Sequence, residues 1–251
     1  MRAAEDRHWW YVGLQNLLLR VVKREAGRFR RPLDILDAGC GTGRLAELLQ
    51  RFGAVTACDM NPLALEAAEQ RGIPRVLRCD LAADDLGESV YDLVTCVDVL
   101  YHRAITDALA VLRRLRRSLR DGGCLIVHVP AFECLRGAHD VAVHTERRYR
   151  RRELECLLQE AGFVVECSSY RLLALFVPAL PWRWLTRVCP RCAGNGEPLS
   201  DLAAPIPVLL NGLLAAFVKG ENGLLLAGVR LPVGTSVFAL ARKPVSPNRL
   251  F

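Results

Sequence analysis

The sequence predicts a doubly wound α/β fold with a mostly parallel sheet, and three observations carry the prediction. Short apolar runs alternate with helical patterns from residue 33 to residue 170, as expected when parallel strands are joined by crossover helices. A glycine-rich turn, Gly39-Cys-Gly-Thr-Gly43, follows the first apolar run and opens a helical pattern. The run Tyr91–Val97 is apolar at most positions, which suits a strand covered on both faces.

Taken in order, His8 to Arg28 carries an apolar helical stripe at Val12, Leu17, Leu18, Val21 and Val22, so residues 1–30 are expected to pack as a helical cap. Leu33–Asp37 reads as the first strand, followed by the glycines and a helix through Phe52. Ala54–Asp59 is a second strand, Pro62–Arg71 a helix, and Arg75–Asp80 a third strand. Tyr91–Val97 is the fourth strand, with a helix from about Ile105 to Leu119 after it. Gly123–Val129 is the fifth strand, and Arg151–Ala161 is a helix stopped by Gly162. Phe163–Tyr170 is the sixth strand and Ser236–Arg242 the seventh. The core thus covers residues 31–170 and 235–243 of a single domain. Residues 171–234 form an insertion far longer than an ordinary connection, and such insertions usually serve function.

Composition narrows the classes. The chain has 251 residues, is 51% hydrophobic and carries a net charge of +7, enough apolar matter for one substantial core. Its positive charge is nearly all arginine, with lysine only at positions 23, 219 and 243. No aromatic residues interleave with the arginine clusters at Arg113–Arg120 and Arg147–Arg152, so a nucleic-acid partner ranks low. The first of these clusters reads as a solvated helix face. Most of the ten cysteines sit singly in apolar runs, as Cys58, Cys79, Cys96 and Cys124 do. Buried free thiols of this kind behave as small hydrophobes. The first thirty residues are charged throughout and lack a secretory core. The expectation is a reduced, cytoplasmic protein. Cys189-Pro-Arg-Cys192 has knuckle spacing, but no second pair completes four ligands, so no metal is expected.

The glycine turn carries the first chemistry. Three alternating glycines let the backbone turn sharply and approach a ligand, and the helix start that follows offers N–H groups to an anion. A dinucleotide fingerprint would place its third glycine at position 44, which is Arg44. Asp59 ends the second strand, where a carboxylate can accept both ribose hydroxyls in either reading. Asp80 ends the third strand, where it can receive the exocyclic amine of an adenine.

Asp37-Ala-Gly-Cys-Gly-Thr-Gly43, Asp59, Cys79-Asp80, Tyr91-Asp-Leu-Val-Thr-Cys-Val-Asp-Val-Leu-Tyr-His102 and Leu119-Arg-Asp-Gly-Gly-Cys-Leu-Ile-Val127 together resemble the successive motifs of class I S-adenosylmethionine-dependent methyltransferases. The resemblance covers roughly residues 31–170 and the last strand. It implies seven strands with the last antiparallel, and S-adenosyl-L-methionine as cofactor. It also implies that Asp37, Gly39, Cys40, Gly41 and Gly43 flank the methionine part. Asp59 and Met60 would border the ribose, Asp80 and Leu81 the adenine, and the main chain at Cys96–Val97 the sulfonium end. A bacterial small-molecule subgroup is similar in His8-Trp9-Trp10, Val129-Pro-Ala131, His139-Asp140, Arg147-Arg-Tyr149 and Leu231-Pro-Val-Gly-Thr-Ser236.

Methyl transfer from a positive sulfur asks the protein to position and desolvate, and a hydroxyl acceptor benefits from a general base. His102, after the fourth strand, and His139 and His144, after the fifth, are the candidate bases, set against a bland role in capping and loop hydrogen bonding. His128, inside the fifth strand, reads as a satisfied core residue. Trp9, Trp10 and Tyr11 either close over the ligands or anchor the cap, anchoring being favoured for Trp10. Arg147 and Arg148 have the chemistry to grip an anionic group.

Within the insertion, Leu172–Trp182 and Leu202–Val218 are uncharged, and Trp182 and Trp184 alternate with arginines. That pattern suits a lipid headgroup boundary, a lid over an apolar pocket or a homodimer contact. No segment clearly reads as a membrane span, because Leu202–Val218 is short of the ~20 residues required and holds two prolines. The expected activity is methyl transfer to an oxygen or nitrogen of a small, apolar or lipid-linked acceptor, with peripheral contact at the inner membrane face. The alternative is a silent fold that only binds or docks.

Overall fold

A computed structural model describes residues 2–188 and 206–246. Its sheet has seven strands in the order β3-β2-β1-β4-β5-β7-β6: β1 Leu33–Ala38, β2 Gly53–Asp59, β3 Arg75–Arg78, β4 Tyr91–Val97, β5 Leu119–Pro130, β6 Val164–Arg171 and β7 Ser236–Arg242. β1 to β5 pair in parallel, and β7 lies antiparallel between β5 and β6. The helices are α1 Arg2–Arg7, α2 Trp9–Ala26, α3 Arg44–Leu49, α4 Pro62–Glu69, α5 Ala108–Ser118, α6 Ala138–Ala142, α7 Arg151–Glu160, α8 Leu173–Val188 and α9 Val208–Leu226. Strand order reverses between β1 and β4, and the crevice at the carboxyl ends of that pair is where open α/β sheets bind ligands.

Local chemistry explains where elements differ from expectation. β3 stops at Arg78 rather than Asp80, because the Asp80 N–H donates to Asp84 Oδ2 (2.8 Å) and Asp80 Oδ1 accepts from the Ala82 N–H (2.8 Å), turning the chain out of the sheet. β5 begins at Leu119, not Gly123. Its pairing with β4 jumps register between Tyr91↔Leu119 and Leu93↔Cys124, so Arg120–Gly123 form an irregularity within the strand. α5 is shorter than read, and its first turn begins at Ala108, where Asp107 caps the Ala110 N–H.

The cap is built on the expected stripe with one change. α2 buries Trp9, Gly13, Leu14, Leu17, Leu18, Val21 and Val22, and Leu14 takes the place given to Val12. α2 lies against α9 at close range. A β-carbon on Gly13 would stand 2.4 Å from Val218 Cγ1, and the buried Asn222 donates from Nδ2 to the Gly13 carbonyl at 2.7 Å. The insertion is therefore tied to the cap. By length and composition α9 is apolar enough to cross a membrane, although Ala215, Val218, Glu221, Asn222 and Leu225 face inward. Its opposite side presents Leu209, 84% exposed, with Leu213 and Phe217. Cys189 and Cys192 lie outside the described residues, as do residues 202–205 and the side chains of Trp182 and Trp184. All eight cysteines among the described residues are free thiols.

Candidate active site

The glycine turn leaves β1 at the switch point with three left-handed residues, Gly39, Gly41 and Gly43. At Gly39 a β-carbon would lie 2.2 Å from Val99 Cγ2, and at Gly43 it would lie 2.7 Å from Ala68 Cβ. Both positions therefore need glycine for space as well as for φ. Around Gly41 no atom lies within 4 Å of where a β-carbon would be, so this side of the loop faces open space. The loop is held to β2 by Gly39 and Cys40 N–H groups donating to the Cys58 carbonyl at 2.8 and 2.9 Å. Cys40 itself is buried.

Two carboxylates flank the turn. The Asp37 backbone pairs with Thr95 of β4, and Thr95 Oγ1 donates to Asp37 Oδ1 at 2.6 Å. Oδ2 is buried without a hydrogen-bond partner. Burial lifts this carboxyl to about 6, against the lowering effect of Thr95, and the charge of Asp59 adds to the rise. Asp59 ends β2 and uses Oδ2 to accept the Gly41 N–H and Oδ1 the Asn61 N–H, each at 2.9 Å. A cleft of about 350 Å³ continues past it, lined by Met60, Arg78, Cys79, Asp80 and Asp84. Leu81 is buried behind this cleft. At the other end of the switch point, Cys96 is buried and Val97 leads out of β4 into Asp98, a non-glycine residue with φ of 57°.

These features fit S-adenosylmethionine. An acid that burial has deprived of one partner is matched by the ammonium of a methionine, a loop with open backbone by its carboxylate, and the carboxylate at the end of β2 by a ribose diol. When bound, the cofactor supplies a methyl group on a positive sulfur.

Over the site stand the cap residues. Trp9 is the anchor, packed with Leu172, Ala215 and Val218. Trp10 is half-buried, with its ring edge-on to His128 at 5.9 Å. Trp10 shares this anchoring, packing against the core as expected, and Trp9, open to either role in the sequence, is the more buried of the two. Burial and the charges of Glu5 and Asp98 raise the Tyr11 hydroxyl, and burial with Asp98 likewise raises Tyr101. Phe132 stacks on Tyr170 at 4.8 Å and lies 5.4 Å from Phe176 of α8, giving an apolar wall toward the insertion. Glu5 of α1 accepts from the Thr42 hydroxyl, so the cap touches the glycine loop directly.

His102 and His144 come together, with rings perpendicular and 5.8 Å apart, beside a bridge between His102 and Thr145. Burial, then the neighbouring His144 and Arg103, lower the His102 imidazole. His144 is exposed, and His139 sits one turn earlier on α6. Asp140 is buried. It caps α6 and forms a buried two-pronged pair with Arg148, at 2.8 and 3.1 Å. Arg148 also donates to the Ala131 carbonyl, while Arg147 pairs with Glu153 and lies over the Tyr149 ring. Arg148 is thus committed to the protein and not poised for an anionic ligand, a correction that the linear spacing gave no means to foresee. Among the described residues no cluster of three metal-ligating side chains occurs.

Fold and site together define an S-adenosylmethionine-dependent methyltransferase. The chain belongs to the methyltransferase domain family, whose pattern it matches over residues 11–168. It is 36% identical over 187 residues to a ubiquinone biosynthesis O-methyltransferase of Xanthomonas oryzae pv. oryzae (strain PXO99A), covering 64% of this chain and 72% of that one. It is 31% identical over 221 residues to the protein of the same name from Xanthomonas euvesicatoria pv. vesicatoria (strain 85-10), covering 77% and 88%. Among solved structures it resembles a possible histamine N-methyltransferase of Thermotoga maritima, with a TM-score of 0.55 at 18% identity over 94% and 93% of the two chains. That likeness concerns the fold alone.

Proposed function

We propose that this enzyme methylates an oxygen, or failing that a nitrogen, on a small apolar or lipid-linked acceptor met at a membrane surface. The observation that carries the reading is apolar surface on the insertion: Phe176 of α8 lies beside the Phe132–Tyr170 stack, and α9 exposes Leu209, Leu213 and Phe217. The relatives named as ubiquinone biosynthesis O-methyltransferases favour oxygen over nitrogen.

In this reading Asp37 takes the cofactor ammonium, and the loop at Gly39, Cys40, Gly41 and Gly43 takes its carboxylate. Asp59 with Met60 takes the ribose, Asp80 with Leu81 the adenine, and the backbone at Cys96–Val97 borders the sulfonium. The cap residues Trp10 and Tyr11 exclude water from the reacting atoms. Cytoplasmic placement with reversible attachment to the inner membrane face goes with this assignment.

Incubation with methyl-labelled S-adenosylmethionine and either 4-octylcatechol or octylamine tests it. Label is expected in the octylcatechol product as a methyl ether; no label in either product overturns the reading.

A further inference from the structure

His128 is buried and uses both ring nitrogens. Nδ1 lies 2.9 Å from Asp98 Oδ1, and Nε2 lies 3.0 Å from Arg171 Nη1. A guanidinium only donates, so Nε2 must accept and Nδ1 must carry the proton that it donates to Asp98. These contacts span four neighbouring strands, β4-β5-β7-β6. His128 pairs in the sheet with Val97, the residue before Asp98, and the Asp98 N–H donates to the His128 carbonyl at 2.9 Å. Arg171 ends β6, beyond β7.

Arg171 is 1% exposed, and its Nε and Nη2 have no hydrogen-bond partner. Burial lowers it only to about 10, with the charges of Glu221 and Asp98 opposing the fall, so it stays a cation at neutral pH. Glu221 of α9 is engaged at Leu172 N and Leu173 N, at 2.5 and 2.9 Å. A buried cation with unmatched donors costs several kcal/mol that packing alone would not ask for. Such groups call for an explanation beyond the fold.

Asp98 is where this chain of groups reaches the site. Its carboxylate is partly exposed, its backbone is left-handed at φ of 57°, and it directly follows the Cys96–Val97 segment. Tyr11 and Tyr101 both feel its charge. With Oδ1 held by His128, Oδ2 is left for another partner. Resting on the acceptor reading above, we propose that Asp98 is the catalytic base for a hydroxyl acceptor, and that Arg171 and His128 are positioning residues that fix its carboxylate. As an oxygen lone pair forms the bond to the methyl carbon, the sulfur–methyl bond breaks with its electron pair left on sulfur. The hydroxyl proton passes to Asp98 Oδ2. Arg171 keeps His128 in the tautomer that donates to Asp98, so the imidazole itself does not take the proton.

The test compares wild type with Asp98→Asn, Asp98→Glu, His128→Gln and His102→Gln. Transfer to 4-octylcatechol is measured beside calorimetric binding of S-adenosylhomocysteine. Loss of a general base lowers kcat for Asp98→Asn by about 10²–10³-fold, with KM and homocysteine-product affinity within about threefold of wild type. Asp98→Glu recovers part of the rate, and His128→Gln lowers kcat by roughly tenfold through a misplaced carboxylate. Wild-type kcat in Asp98→Asn, or a loss confined to His102→Gln, overturns the proposal. Independently of turnover, nitrogen NMR of the wild type is expected to show His128 protonated at Nδ1 alone; a proton on Nε2 overturns the relay. Failure of the acceptor reading would show in the wild type as absent transfer, whereas failure of this inference would show only in the variants or in the tautomer.

Discussion

Asp37 ionises against its surroundings, and this gives cofactor binding a pH dependence. Its carboxyl stands at about 6 in the ligand-free protein, against about 3.9 in an unfolded chain. Because folding raises this carboxyl, the stability it contributes is full below the unfolded pKa and is lost as pH rises through 6. An ammonium partner needs the ionised form. S-adenosylhomocysteine affinity should therefore hold above pH 7 and fall toward tenfold per unit below about 6, and Asp37→Asn should flatten the curve. A flat wild-type curve in calorimetry would contradict the pairing. Asp59→Ala should weaken the same ligand by about 1–3 kcal/mol, through lost charge-assisted hydrogen bonds; unchanged affinity would remove Asp59 from the ribose. These two residues were legible in the sequence, because strand ends beside a glycine turn leave few other places for a carboxylate. Asp98 was not, because its partners His128 and Arg171 stand 30 and 73 residues away and meet it only once the sheet has formed. His128 was rightly read as a satisfied core residue, yet the groups that satisfy it lead to the site.

At the scale of elements, strands declared themselves better than helix contacts. β4 and β7 fall where their apolar runs predict, since burial on both faces leaves a continuous signal. The junction of α2 with α9 left almost none: it rests on Trp9, Gly13 and two asparagines, Asn211 and Asn222, more than 200 residues from them. Gly13→Ala gains about 1 kcal/mol in helix preference. The added carbon, 2.4 Å from Val218 Cγ1, costs about 1–3 kcal/mol in overpacking. Urea unfolding should show net destabilisation that Val218→Ala relieves in the double variant. A more stable Gly13→Ala would mean that the two helices do not approach this closely. His139→Gln and His144→Gln, on the rim formed by α6 and its following turn, should keep most of their turnover if Asp98 is the base.

For the molecule as a whole, a +7 chain that exposes Leu209, Leu213 and Phe217 along one side of α9 is suited to anionic lipid. Each methylene buried contributes ~0.8 kcal/mol, so under the proposed membrane contact three such side chains would give reversible attachment that salt weakens where arginine and lysine assist. Co-sedimentation with phosphatidylglycerol vesicles should fall when all three are changed to serine; a concentration-dependent dimer lost in the same variant, with no vesicle binding, would assign the face to a second copy instead. The insertion was read from its length and its two uncharged stretches, but the division of α9 into a face turned to the cap and a face turned outward depends on Asn222 and Glu221 pointing inward, which hydropathy alone misplaces.

An apolar acceptor pocket sets the ratio of kcat/KM for 4-octylcatechol to that for unsubstituted catechol. Burial of even half of the octyl chain contributes about 3 kcal/mol, so the ratio should exceed roughly 10². A ratio near one, with both compounds methylated, would contradict an acceptor pocket continuous with the apolar insertion.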